Sequence, residues 1–272
     1  MKEMKALLVI DFAREGAENM AVDMAMAQAT GQGVLPLVIR LYSWMKPTLS
    51  LGRSQKLENV DLDFLKEEDI DLVKRPTGGM AILHESEITF CFCIPGPHPW
   101  NKLRSWEIHR KISQLLCEAL RSFGVPAKIY DRKDNRRFPL CYATTSRSEI
   151  TLYGKKLVGS AQYRTRKFVL QHGSIPLTLD IGKYLKCFKN HGLSSESLKN
   201  KIITLSEAGI DLNLENFATS IHKVMEKMNF EITISRSIPS NILEHAAKLK
   251  ELYKLPLTFT AGNALPAQKG QE

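Results

Sequence analysis

The stretch TLYGKKLVGSAQYRTRKFVLQHGSIP, residues 151–176, contains three consecutive predicted β-strands. Within it, the tight turn Tyr153-Gly154-Lys155-Lys156 joins two predicted strands, 149–153 and 157–162, as the turn of a β-hairpin does. A third strand is predicted at 168–176 and ends at Pro176. Because consecutive strands with short connections pair in antiparallel fashion, this stretch predicts part of an antiparallel sheet.

The chain before this stretch supplies further strands and helices. Single strands are predicted at 6–10, 37–42, 72–75 and 127–130, and a hairpin-like pair of strands at 80–94 with its polar bend at 84–87. Helices are predicted at 17–30, with Asn19 as N-cap, and at 62–67. The clearest helix begins at Ser105, where apolar residues recur at period 3.6, and ends at Gly124.

These elements do not alternate as regular βαβ units. We therefore expect an α/β (α+β) fold with a mixed, largely antiparallel sheet and packed helices. After Pro176 the pattern changes to helices at 193–207, 214–228 and 239–252 and a strand at 230–234. This predicts a main domain over 1–191, a small C-terminal α/β subdomain over 192–254 and a disordered tail over 255–272.

The composition restricts the class of protein. A chain of 272 residues with 43% hydrophobic content is long enough for a substantial core. Its net charge of +9, from 38 Lys+Arg against 29 Asp+Glu, favours an acidic partner. The basic residues are scattered and carry no nucleic-acid-binding motif, so a protein partner is expected and nucleic acid is not.

No apolar run approaches the roughly 20 residues of a membrane span, and the short apolar stretch 6–10 does not suit a secretory signal. We expect a cytoplasmic protein that does not bind membranes.

The five cysteines show neither a CxxC pair nor metal-ligand spacing, so no metal site is predicted. Cys91 and Cys93 alternate in an apolar segment, and Cys117 lies on the apolar helix. These three are interpreted as small buried hydrophobic residues, and Cys187 is given no role.

Cys141 and Lys156 are the candidate catalytic pair. A thiol can hold an acyl group as a thioester, and a lysine ammonium can polarise its carbonyl, so the pair indicates acyl transfer. A second loop upstream, Arg75-Pro76-Thr77-Gly78-Gly79, leads to His84 and indicates a binding site. Its glycines allow backbone N–H groups to approach a thioester or carboxylate closely.

The motifs together resemble the lipoate/biotin protein ligase superfamily. The segment Asn19-Met20-Ala21-x-Asp23 and the run from Arg40 through Gln55 resemble the first motifs of that superfamily's catalytic domain. Residues 75–84 resemble its substrate-binding loop. Its lysine segment resembles Gly154-x-Lys156-Leu157-x-Gly159-Ser160-Ala161-Gln162, followed by Leu170-Gln171-His172-Gly173-Ser174. The resemblance covers roughly residues 6–250 and implies a ligase-like fold with its catalytic domain over 1–191.

Within the superfamily, the chain is most similar to the LipM-type octanoyl-carrier-protein:protein octanoyltransferases. That branch has a segment of the form Cys-aromatic-x-x-x-Ser-x-x-Glu, which 141–149 match in full. The resemblance implies transfer of octanoyl from acyl carrier protein, through Cys141, to a lysine of an apo lipoyl domain such as a glycine cleavage H-type protein, without a cofactor. The alternative is a ligase that uses ATP and Mg to attach free lipoate, for example in a specialised sulfur-metabolism pathway. Ligases commonly carry a third glycine where this chain has Met80, which counts against adenylate binding.

The resemblance also implies a set of substrate-binding residues: Arg75, Thr77, Gly78, Gly79, His84, Gly159, Ser160, Ala161, Gln162, His172 and Gly173. Thr77 could donate its hydroxyl to the acyl carbonyl. His84 and His172 are either proton shuttles or hydrogen-bonded structural residues. Arg75 either pairs with a pantetheine phosphate or braces the loop.

Two other classes stay open on the residues alone. A regulatory or nucleic-acid-binding protein would explain the positive charge, but it should carry a recognition motif. A scaffold protein would keep the fold and lose Cys141 or Lys156, and both are present.

Overall fold

The predicted hairpin and its neighbouring strand are present in the computed structural model, which describes residues 4–131 and 148–257. The strands are β1 Met4–Ile10, β2 Leu37–Tyr42, β3 Thr48–Leu51, β4 Asp71–Lys74, β5 Ile82–His84, β6 Glu87–Pro95, β7 Lys128–Ile129, β8 Ile150–Leu152, β9 Lys155–Arg164, β10 Phe168–Pro176 and β11 Phe230–Ser235. The helices are α1 Gly16–Gly31, α2 Leu62–Glu67, α3 Ser105–Arg121, α4 Ile181–Lys186, α5 Ser195–Lys199, α6 Leu214–Lys227 and α7 Ser240–Leu249.

A large sheet of eight strands has the order β11-β1-β2-β6-β10-β9-β8-β7. β11, β1 and β2 run parallel, and the other neighbours run antiparallel. The expected mixed, largely antiparallel sheet is therefore confirmed. A smaller sheet, β4-β3-β5, lies beside it. In the large sheet, β9 and β10 pair His172 with Ala161 and Gly173 with Ser160, which brings the two predicted site segments side by side.

Helices cover both faces of the large sheet. α3 and α6 pack on one face, where the apolar stripe of α3 joins the main core. α1 packs on the other face together with α7. Among the described residues, no helix is both long enough and apolar enough to cross a bilayer.

The prediction of a hairpin over 80–94 is wrong. β5 pairs with β3 in the small sheet, whereas β6 lies between β2 and β10 in the large one. Because both edges of β6 are already occupied, β5 has no edge there to pair with. The polar bend is present, but it carries the chain from one sheet to the other.

Two helix predictions also differ from the structure. α1 begins at Gly16, so Asn19 lies inside it, and its amide donates to the carbonyls of Arg14 (3.3 Å) and Ser43 (3.1 Å) instead of capping. The long helix predicted at 193–207 is shorter, since only Ser195–Lys199 is helical.

The C-terminal residues share the large sheet. β11 runs parallel to β1, with Phe230 opposite Met4, and α6 packs against α3. The predicted subdomain over 192–254 thus contributes an edge strand and helices on both faces. Of the predicted tail, residues 258–272 lie outside the described part of the chain.

Candidate functional site

Lys156 lies near the start of β9, directly after the hairpin turn, and is 1% exposed. Its Nζ donates to Glu149 Oε1 at 2.7 Å, and this carboxylate is itself buried. The Lys156 backbone is held on both sides: its N–H donates to the Lys201 carbonyl at 2.7 Å, and its carbonyl accepts from Ile203 at 3.0 Å. A buried, charge-assisted contact of this kind fixes where the ammonium points.

Cys141 lies outside the described residues, so the predicted closeness of its sulfur to Lys156 stays a prediction. The residues that flank 132–147 are described. The Ser148 N–H donates to the Tyr130 carbonyl at 2.7 Å, and the Tyr130 N–H donates to the Glu149 carbonyl at 2.7 Å. Both ends of the segment that carries Cys141 therefore meet beside the partner of Lys156.

The 75–80 loop is braced from within by Arg75. Its guanidinium is buried and donates to the carbonyls of Ser50 (3.0 Å), Gly78 (2.8 Å) and Met80 (2.7 Å). Of the two roles expected for Arg75, these contacts favour bracing. Gly79 has φ +89, which side-chain-bearing residues rarely adopt.

His172 is held from both ends of its ring. Nδ1 lies 2.9 Å from Asp23 Oδ2, and Nε2 lies 2.7 Å from Thr77 Oγ1. Burial, with smaller contributions from Arg75 and His84, lowers the pKa of His172 and outweighs the hydrogen bond and charge of Asp23, which raise it. A neutral ring beside a carboxylate donates from Nδ1, so Nε2 accepts the Thr77 hydroxyl proton. Thr77 thus donates to His172 and not to an acyl carbonyl, and both ring nitrogens of His172 are engaged.

A buried charge network supports Asp23. Arg40 donates to Asp23 Oδ1 at 2.7 Å, to Asp11 Oδ2 at 2.7 Å and to Asn19 Oδ1 at 2.7 Å, and the Tyr42 hydroxyl donates to Asp23 Oδ2 at 2.9 Å. Burial would raise the pKa of Asp23, but the hydrogen bond from His172 and the charge of Arg40 outweigh it, so this pKa is lowered. The polar residues of the opening motif therefore hold α1 on the sheet beneath His172.

His84 belongs to a second buried cluster. Its Nδ1 lies 2.8 Å from Glu87 Oε1 and its Nε2 2.7 Å from Ser50 Oγ, while its ring stacks on Trp44 with 4.0 Å between centroids. Glu87 also accepts from the Trp44 indole at 3.0 Å and from Ser174 at 2.6 Å. Burial would raise the pKa of Glu87, but His84 and the hydroxyl donors outweigh it and lower this pKa. The contacts favour the structural role for His84.

A narrow cavity opens between these two clusters. It is lined by Met20, Tyr42, Trp44, Ser50, Arg75, Ile82, His84, Thr89, Gly159, Ser160, Ala161, His172 and Gly173. A Cβ on Gly173 would lie 2.5 Å from both the Gly159 carbonyl oxygen and the Phe90 ring. Glycine at this position is therefore required where β9 and β10 border the cavity.

The face of β9 toward α3 carries a further polar chain. Gln162 donates to Gln171 Oε1 at 2.9 Å, Gln171 lies 3.4 Å from Ser160 Oγ, and Ser160 Oγ lies 2.8 Å from His109 Nε2 on α3. Burial lowers the pKa of His109 to about 4, and the nearby charge of Lys156 adds to this. His109 was not among the residues predicted for the site. Its only signal is its place one residue after Ile108, at the border of the apolar stripe.

Most of the residues predicted for the site therefore converge. Seven line the cavity: Arg75, His84, Gly159, Ser160, Ala161, His172 and Gly173. Thr77, Gly78 and Gly79 form the adjoining loop, and Gln162 lies in the chain that reaches His109. Among residues 4–131 and 148–257, no group of three or more His, Cys, Asp or Glu side chains is arranged to hold a metal ion. Lys156 is not among the residues that line the cavity, so the structure does not place its ammonium there.

The chain is similar to a family of known catalytic domains. The model of the lipoyl protein ligase A/B catalytic domain matches residues 15–226. The octanoyltransferase LipM of Halalkalibacterium halodurans is 32% identical over 229 residues, covering 79% of this chain and 83% of that protein. The octanoyltransferase LipM of Carboxydothermus hydrogenoformans is 37% identical over 183 residues, covering 66% of this chain and 68% of that protein.

Solved structures show the same fold at low sequence identity. A bi-partite lipoate protein ligase from Thermoplasma acidophilum superposes with a TM-score of 0.74 at 17% identity, covering 92% of each chain. A lipoate-protein ligase A bound with ATP gives a TM-score of 0.73 at 18% identity, covering 91% of this chain and 94% of that one.

Proposed function

Because this chain belongs to the lipoyl protein ligase A/B catalytic-domain family, we propose that it is an octanoyltransferase of protein lipoylation. It moves an octanoyl group from acyl carrier protein, through a thioester on Cys141, to a lysine of a lipoyl domain. The buried contact between Lys156 and Glu149, at the end of the Cys141 segment, carries this proposal. The similarity to LipM octanoyltransferases supports octanoyl as the transferred group.

Cys141 is the nucleophile of the proposal partly because the other thiols are poorly suited. Cys91, Cys93, Cys117 and Cys187 are all buried. Burial raises the pKa of Cys117 to about 11 and that of Cys187 to about 12, and it also raises the pKa of Cys91. A thiolate is the reactive form, so these three are poor nucleophiles near neutral pH.

In the first half-reaction, the Cys141 thiolate attacks the thioester carbonyl of the carrier's phosphopantetheine arm. A carbon–sulfur bond to Cys141 forms, and the bond to the pantetheine sulfur breaks. The pantetheine thiolate leaves and takes a proton. Lys156 donates to the carbonyl oxygen while negative charge develops there, and Glu149 keeps the ammonium oriented.

In the second half-reaction, the amine of the acceptor lysine attacks the Cys141 thioester. An amide bond forms, the Cys141 thiolate leaves, and the proton of the attacking amine returns to that sulfur. The octanoyl chain stays in the apolar part of the cavity, against Met20, Tyr42, Trp44 and Ile82, while the two partner proteins exchange. Splitting the transfer in this way is the advantage of a covalent intermediate.

The proposed partners are octanoyl-acyl carrier protein and an apo lipoyl domain, with a glycine cleavage H-type protein as the first candidate. The proposed reaction needs no ATP, because a thioester donor is already activated. The proposed compartment is the cytoplasm, where thiols such as the buried Cys91 and Cys93 stay reduced.

One experiment separates this proposal from the ATP-dependent ligase. The protein is incubated with octanoyl-acyl carrier protein and an apo lipoyl domain, and in parallel with ATP, Mg and free lipoate, and both proteins are weighed by mass spectrometry. We expect an octanoyl adduct on the enzyme and octanoylation of the lipoyl domain without ATP. Cys141→Ala should abolish both, and the control Cys117→Ala should keep both. Full activity of Cys141→Ala that depends on ATP and lipoate would establish the ligase instead.

A further inference from the structure

Tyr153, at the tip of the β8–β9 hairpin, is exposed and conformationally unfavourable at the same time. Its side chain is 71% exposed, and its φ is 51°, in the left-handed region. Gly154 follows with φ 79°, so both residues of this two-residue turn have positive φ, as a type I′ turn requires.

The residue type is unusual for this position. Among the described residues, the other non-glycine residues with positive φ are Asp69, Ser148, Asn190 and Asn229. Asp and Asn tolerate the left-handed region because their short polar side chains bond locally, whereas tyrosine gains nothing comparable. The hairpin turn would thus be more stable with Asn, and the observed outlier points to a function outside the turn.

Lysines lie on the elements next to this turn. Lys155 follows the turn, and its Nζ donates to the Lys199 carbonyl at 2.9 Å. The Lys201 carbonyl accepts a hydrogen bond from the Lys156 N–H, so Lys201 lies next to the start of β9. Lys128 lies on the edge strand β7, opposite Thr151. An exposed tyrosine within a basic surface is the composition of a contact site for an acidic protein.

We propose that Tyr153, Lys128, Lys155, Lys199 and Lys201, here called the hairpin surface, dock the acidic carrier protein that delivers the acyl group. This inference rests on the proposed function. The hairpin surface lies close to Lys156 and Glu149, because β8 connects Glu149 to Tyr153 and Lys156 is the second residue of β9.

Distance favours the acyl donor over the acceptor at this surface. Tyr153 lies four positions after Glu149 along the strand, about 13 Å at about 3.3 Å per residue. A lysine side chain extends about 6 Å from its Cα, too short to bridge that distance from a domain seated on the hairpin tip. A phosphopantetheine arm is several times longer than a lysine side chain and spans the gap.

The test measures binding and stability separately. Wild type and Tyr153→Asn are titrated with holo-acyl carrier protein and, in parallel, with the apo lipoyl domain, and their thermal midpoints are compared. We expect Tyr153→Asn to have a higher midpoint and yet to bind the carrier about fivefold or more weakly. Its affinity for the lipoyl domain should not change.

Charge reversal provides the matched comparison. Lys155→Glu/Lys199→Glu should weaken carrier binding about tenfold or more at low salt, whereas Lys223→Glu/Lys248→Glu, with the same change of net charge on α6 and α7, should leave it within about twofold. The proposal is overturned if the two double variants weaken carrier binding equally, or if Tyr153→Asn leaves the carrier affinity unchanged. It is also overturned if these changes weaken binding of the lipoyl domain and not of the carrier. A wild type that binds the carrier but transfers no octanoyl would refute the proposed function, while the affinity ratios would still decide the docking surface.

Discussion

Lys156 Nζ lies 2.7 Å from Glu149 Oε1, and the two side chains are 1% and 5% exposed. Removing two charges from water costs several kcal/mol per ion, so such a pair is seldom retained for stability alone. Glu149 closes the motif that begins at Cys141, and Lys156 lies in the motif that begins at Gly154, in the β8–β9 hairpin. The contact therefore links the two segments that the proposed chemistry needs.

Glu149→Gln should destabilise the protein and slow transfer. The variant leaves the Lys156 ammonium buried without this carboxylate, which costs about 3–5 kcal/mol. Urea unfolding measures this cost, and single-turnover acyl transfer measures the loss of orientation. The double variant Glu149→Gln/Lys156→Met should regain much of the stability and none of the activity. A double variant that is no more stable than Glu149→Gln would show that the pair is not the source of the cost.

Neighbouring glycines in the substrate loop should respond differently to alanine. Gly79 has φ +89, and a Cβ there would lie 2.9 Å from Arg75 Nη2, whereas Gly78 has open space around it. Gly79→Ala should cost about 1–2 kcal/mol and raise the KM for the acyl donor. Gly78→Ala should stay within about 0.5 kcal/mol of wild type. Urea unfolding and steady-state kinetics check both, and equal costs would contradict the strain at Gly79.

Thr77→Val should disturb His172. The valine has a similar shape but no hydroxyl, so His172 Nε2 loses its donor inside the protein, at a cost of about 1–3 kcal/mol. Thr77→Ser keeps the hydroxyl and should retain most of the stability and activity. NMR of the imidazole nitrogens reports the tautomer directly. An Nε2-protonated His172 in the wild type would contradict the hydrogen-bond direction assigned here.

Stability should fall between pH 7 and pH 5, and His98 should account for part of the loss. Burial lowers the pKa of His98 to about 4, against about 6.5 in the unfolded chain. The unfolded state therefore binds a proton first as the pH falls, which removes about 2 kcal/mol by pH 5. The buried carboxylates do not interfere, since the pKa values of Asp23 and Glu87 are lowered.

His98→Asn should lessen this pH dependence, because asparagine can accept the Trp100 N–H as His98 does and does not titrate. Urea unfolding of both proteins at pH 7 and pH 5 gives the two differences in free energy. The same loss in both proteins would show that the remaining buried groups, His109 and His172 among them, account for all of it.

The local sequence pattern was enough to predict the bounds of several strands and helices. β2, α2 and β10 have the predicted bounds, and the hairpin turn at Tyr153-Gly154 lies where expected. These elements depend on interactions within a few residues: turn chemistry, proline at a strand end, and apolar period. The motif order likewise identified seven of the thirteen residues that line the cavity, though not which hydrogen bonds each of them makes.

Most of the strands and helices, the family and part of the cavity lining follow from the sequence alone. Tertiary structure alone decided that β5 leaves β6 for β3, that β11 joins β1, that His109 reaches Ser160, and that Glu149 is the partner of Lys156. Each of these depends on which strand edges are already occupied and which buried groups still need a hydrogen-bond partner. Those conditions arise only when distant parts of the chain pack together.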